Sequence, residues 1–173
     1  QTLLPILTCV NISRSRVRQR MNNLLVVEKG ITARAEVICQ TLKNSLRALH
    51  IAKGKIVLRE NAQLIYHHFH RWGNYDNVES DYEFYLKENA HLNYSYKVLN
   101  PSRDLQFRTI VHGKKNSQTD IAIIARARNS HIKIHDEIIL EDAQASGIVR
   151  LRLVAEKKSD IEAYSSIAVG KST

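Results

Sequence analysis

The chain has 173 residues, of which 43% are hydrophobic, with only 6 glycines and 2 prolines. That is enough for one domain with a real core, and it excludes disordered, collagen-like and linker-dominated chains. The net charge is +9, which makes a basic nucleic-acid-binding module one class to weigh.

The first residues, "QTLLPILTCV", carry no basic stretch of the kind that opens a secretory signal. The longest apolar run, Leu3 to Leu7, is far short of the ~20 residues of a membrane helix. The two cysteines, Cys9 and Cys39, have no C-x-x-C neighbour. This speaks against a zinc ribbon or a redox dithiol and suggests a reducing, cytoplasmic setting. Arg14, Arg16, Arg18 and Arg20 fall at every second position, which is the period of a strand. They are expected on one face, either as a stripe for phosphate or acidic groups or as a solvated edge blunted by charge. No interleaved aromatics make a stacking platform for bases.

From residue 28 onward the sequence repeats itself. The segments 28–40, 58–70, 86–98, 125–138, 140–154 and 155–169 each show a short polar turn, a small residue and an alternating strand. The turn reads Glu-Asn-Ala, Arg-Asn-Ser, Glu-Asp-Ala or Lys-Lys-Ser. Asn61 and Asn89 are 28 residues apart, and Ala33 and Ala62 are 29 apart. A strand-turn unit of about 13–15 residues, doubled into a coil of roughly 28, suits a β-solenoid. Alternation points the same way: Leu92, Tyr94, Tyr96 and Val98 share a face, as do Ile132, Ile134 and Ile138. Val149, Leu151 and Leu153 oppose Arg150 and Arg152, and Ile161, Ala163, Ile167 and Val169 line up together. No long 3.6-residue period is present, so the chain reads as all-β: one right-handed parallel β-helix over residues 1–173.

Residues 67–73, "HHFHRWG", place three histidines within four positions. Aligning Asn61 with Asn89 matches His68 to Tyr96 and His70 to Val98. His68 and His70 therefore point inward, and His67 and Phe69 outward. Their Cα atoms would lie about 7 Å apart along one strand. Such a pair could share a metal with a third ligand from a neighbouring rung, or could be a core pair satisfied by backbone or water. Trp72 and Gly73 are expected at the corner that closes the rung. Aligning Ala33 with Ala62 puts Cys39 in the same column as His68, about 4.8 Å away on the adjacent rung. A histidine there could lower the thiol's pKa and ready it for sulfur chemistry; the other reading is a small buried hydrophobe.

Asp76, Glu79, Asp81 and Glu83 lie close together, as a carbohydrate-active β-helix enzyme would require, but they read as a loop entering a strand. His131, His135, Asp136 and Glu137 read as a solvated polar face. Neither His112 before "GKKNSQTD" nor the final "VGKST" meets the spacing of a P-loop. The last stretch is expected to be a turn.

Taken in order, four segments resemble a known family. They are "RMNNLLVVEKGITARAEVICQ" (20–40), "HIAKGKIVLRENAQLIYHHFHRWG" (50–73), "DYEFYLKENAHLNYSYKVLNPSRDLQF" (81–107) and the run from Ala127 to Gly170. The family is SufB/SufD, the scaffold components of the Suf iron–sulfur cluster assembly machine. The resemblance implies a parallel β-helix core that pairs with a SufB/SufD-like partner or with a second copy. It also implies work with a SufC-type ATPase and transient contact with an Fe–S cluster. Cys39 resembles the family's first sulfur-accepting cysteine, which makes Cys39 and His68 candidates for sulfur relay, and His68 and His70 candidates for metal or cluster contact. The family's flanking helical regions have no counterpart here. On this reading the chain is a non-catalytic scaffold and a piece of a longer protein, with cluster-ligand and ATPase-docking residues beyond Thr173. Exposed terminal rungs also call for a second subunit.

Overall fold

The computed structural model describes residues 5–170, apart from Pro101 and the side chain of Asn100. Among the described residues there are twelve strands and no helix: β1 (Ile6–Ile12), β2 (Val17–Val27), β3 (Thr32–Thr41), β4 (Ala48–Leu58), β5 (Gln63–Arg71) and β6 (Asn77–Leu86), then β7 (His91–Asn100), β8 (Asp104–Gly113), β9 (Gln118–Arg128), β10 (His131–Leu140), β11 (Ser146–Glu156) and β12 (Asp160–Val169). The odd strands form one six-stranded sheet and the even strands another, each in chain order. Every pairing is parallel. The chain changes sheet at every turn, so two strands and two turns make one coil, and six coils stack as a parallel β-helix.

The alternation that identifies the strands also fills the lumen. Each strand of coils two to five turns every second side chain inward, and these form one continuous core between the sheets. Aromatic residues fill its middle: Tyr96 stacks on Phe107 with ring centroids 3.7 Å apart and planes 7° apart. Gly54 stands inside β4 because a Cβ there would fall into the ring of Tyr82 on the neighbouring strand.

The turns carry a second repeat. Asn61, Asn89 and Asn116 hold left-handed backbone (φ 58°, 55° and 58°), a conformation asparagine tolerates better than most residues. They stack as a ladder: Nδ2 of Asn89 donates to Oδ1 of Asn61 at 3.2 Å, and Nδ2 of Asn116 donates to Oδ1 of Asn89 at 3.1 Å. Asn129 also has positive φ but belongs to the opposite row of turns, after β9. That explains why it does not fall on the 28-residue spacing.

Several expectations are corrected. Arg14 and Arg16 lie in the turn between β1 and β2, Arg16 with φ 59°, so only Arg18 and Arg20 share a strand face. The face of Ile161, Ala163, Ile167 and Val169 is not buried as a row: Ile161 packs against the core, whereas Ile167 and Val169 are exposed on the outermost strand of their sheet. Asp136 is not on a solvated face. It alternates with Ile134 and Ile138 and is fully buried. The expected turn at "VGKST" falls mostly on 171–173, outside the described residues.

Candidate metal centre in the solenoid lumen

Strand parity delivers the inward side chains as expected. His68 and His70 of β5 are buried, His67 is half-buried and Phe69 is exposed on the outer face. Trp72 and Gly73 follow the end of β5 and are both buried at the corner. Cys39 of β3 is buried one rung away. The register differs from the expected one. Cys39 pairs with His70, 31 residues on, and Val37 pairs with His68. The coil that contains the segment 42–47 is longer than the later ones, so the 29-residue alignment is two residues short. The side chains nevertheless meet diagonally, with Cys39 Sγ 3.9 Å from His68 Nε2.

One ligand atom from each of Cys39, His68 and His70 lies within 4.8 Å of the other two. A tetrahedral ion bound at ordinary Zn–S and Zn–N lengths holds its donors roughly 3.5 Å apart. The three groups would have to close by under about 1 Å each, which side-chain adjustment can supply.

The surroundings fix how the imidazoles present themselves. The Tyr94 hydroxyl lies 3.2 Å from Nδ1 of His68, and the Tyr96 hydroxyl lies 2.7 Å from Nδ1 of His70. Metal-bound histidines are held through the second ring nitrogen in this way. Nε2 of His70 is buried and has no hydrogen-bond partner among the described residues. A bare buried nitrogen is costly, and in native proteins it is normally satisfied.

Electrostatics separates metal binding from sulfur relay. Burial pushes the Cys39 thiol up to about 12, and the nearby Cys9 adds to this. Burial pushes His68 down to about 3, with His50 adding to it. His70 is likewise lowered, by burial first and then by His68 and His50. The expectation that His68 lowers the thiol's pKa is therefore reversed: desolvation outweighs the contact, and both partners are neutral at pH 7. A protonated thiol is a poor nucleophile for sulfur transfer. Neutral imidazoles, by contrast, are the ligand form, and a bound cation deprotonates a coordinating thiol outright. The donor set of one thiolate and imidazoles suits zinc, or iron or cobalt in the divalent state.

The other acids and His112 make local contacts. Asp76 accepts from the Thr41 hydroxyl (2.6 Å), Ala48 N–H (3.0 Å) and Gly73 N–H (2.8 Å), fastening two turns. Asp81 is paired with Arg108 at 2.9 Å, and Glu83 accepts from the Tyr85 hydroxyl at 2.7 Å. Only Asp76 lies in the turn; Glu79, Asp81 and Glu83 alternate along the outward face of β6, so the stretch is mostly strand and not a loop. His112 stacks on Tyr85 and pairs with Glu141 at 2.9 Å.

One residue escapes the sequence reading altogether. His50, on β4 of the opposite sheet, is buried with its ring centroid 6.2 Å from that of His70. Its only signal is an inward parity position at the head of "HIAKGKIVL". The chain matches no protein-family model and no curated protein.

Proposed function

We propose that this chain is a non-catalytic β-solenoid scaffold of the SufB/SufD type that holds iron for cluster assembly at Cys39, His68 and His70. In this reading it acts with a SufC-type ATPase and a SufB/SufD-like partner. The observation that carries it is the convergence of one thiol and two imidazoles, all buried, to within 4.8 Å. The iron–sulfur part rests on the resemblance of the four segments, and the metal part on the geometry.

Anaerobic titration with mixed ferrous and ferric iron, followed by sulfide, tests it. The wild-type chain should take up both and develop visible sulfide-to-iron charge-transfer absorption, and Cys39→Ser should lose it. A chain that binds a divalent ion but never takes up sulfide overturns the scaffold reading and leaves a resident metal centre. That second reading has its own support, because donors this close enclose room for one ion.

A further inference from the structure

The three donors leave a tetrahedral ion one position short, and the opposite wall of the lumen presents a fourth group. His50 of β4 is completely buried. Its Nδ1 lies 2.8 Å from Oε1 of Gln19 on the preceding rung. An amide oxygen only accepts, so Nδ1 carries the hydrogen and Nε2 keeps its lone pair. That lone pair has no partner among the described residues, and neither does Nε2 of His70.

Resting on the metal reading above, we infer that His50 is the fourth donor to a single divalent ion, giving one thiolate and three imidazoles drawn from both sheets. Ring spacing agrees. A tetrahedral ion with nitrogen bonds near 2 Å holds the centroids of two ligating imidazoles roughly 5 Å apart. The centroids of His68 and His70 are 4.4 Å apart, and those of His50 and His70 are 6.2 Å apart, which straddles that distance. His50 and His70 stand edge-on at 88°, as do His68 and His70 at 83°, so neither pair is stacked face to face. Each ring is held through Nδ1: His50 by Gln19, His68 by Tyr94 and His70 by Tyr96. All three rings are anchored through Nδ1, as metal-bound imidazoles are, and Nε2 of His68 lies 3.9 Å from the Cys39 thiol. Cys39, His68 and His70 already lie within 4.8 Å of one another, so the His50 ring is the one that would have to move inward on binding. A bare nitrogen in a buried site is costly, and a bound ion would satisfy both of these at once. One sulfur with three nitrogens favours zinc or cobalt over magnesium or calcium, which take oxygen ligands.

Cobalt(II) titration of the whole chain, with X-ray absorption at the cobalt edge, tests the inference. The wild type should show an intense tetrahedral ligand-field band and a thiolate-to-cobalt charge-transfer band, with one sulfur and three imidazoles in the absorption fit. His50→Phe, which keeps the bulk and removes the donor, should weaken cobalt binding at least tenfold and lower the ligand-field intensity. If the wild type shows one sulfur and only two imidazoles, or if His50→Phe binds cobalt unchanged, His50 is not a ligand and the three-residue centre stands. If the wild type shows no charge-transfer band, the metal reading falls with it. The absorption fit on the wild type decides the matter even if the variant fails to fold.

Discussion

Cys39 Sγ lies 3.9 Å from Nε2 of His68, although the backbone pairs Cys39 with His70. The thiol therefore reaches diagonally across the rung into a space that both histidines share. It is also sealed: Cys39 is buried, whereas Cys9 is exposed on β1. Titration of the native protein with an aromatic disulfide reagent should label one thiol quickly, and urea should release the second. Cys9→Ser should abolish the fast phase and Cys39→Ser the slow one; fast labelling of Cys39 would contradict the buried centre.

Acid should unfold the metal-free protein steeply. Burial lowers His50 to about 4 and His68 to about 3, and lowers His70 as well. In the unfolded chain all three titrate near 6.5. Between about pH 4 and 6.5 the unfolded state thus binds up to three more protons at these sites, and stability falls as pH drops. Asp136 opposes this with one proton. The net two protons correspond to roughly 3 kcal/mol per pH unit. Urea midpoints between pH 4.5 and 7 measure the slope; a flat profile would mean that the histidines are hydrated in the folded state.

Asp136 carries the opposite sign. Burial raises its carboxyl to about 7, and neither oxygen has a hydrogen-bond partner among the described residues. The folded state keeps a proton that the unfolded state releases above about pH 4, so stability falls as pH rises from there to 7. At full effect the loss is on the order of 4 kcal/mol. Asp136→Asn, isosteric and uncharged, should raise the urea midpoint at pH 8 and leave it almost unchanged at pH 4. An equal change at both values would place its effect in packing instead of charge.

The asparagine ladder should be a measurable support. Asn89 donates to Asn61 and accepts from Asn116 while holding φ 55°. Asn89→Ala loses both bonds and meets the left-handed backbone with a Cβ and no compensating polar group, at about 2 kcal/mol. Asn89→Gly relieves the strain and should cost about 1 kcal/mol less. Chemical denaturation of the pair separates ladder from backbone, and equal losses would assign the whole effect to the ladder.

Much of this was legible because strands have a fixed period of two. The inward assignment of His68 and His70 follows from matching Asn61 to Asn89, and the pairing of His68 with Tyr96 and His70 with Val98 bears it out. The same parity should have turned Asp136 inward with Ile134 and Ile138, but its charge and its neighbour Glu137 suggested water instead. What parity cannot give is the length of a turn. The segment 42–47 lengthens one coil, so Cys39 faces a histidine two positions from the expected one. Nor does it show what stands across the lumen. Asn116, the third rung of the ladder, is hidden inside "GKKNSQTD", and His50 belongs to the other sheet, at no fixed sequence distance from β5.

Coils in a solenoid touch only their neighbours, so unravelling starts at an end and passes along one coil at a time. The first coil is thinly covered, with Ile6, Leu7 and Leu24 exposed. Cys39 and His50 belong to the second coil and His68 and His70 to the third. An ion gripped by all four would cross both the rung and the lumen at that boundary. It would work as a latch, joining the second coil to the third so that neither could open without releasing the ion.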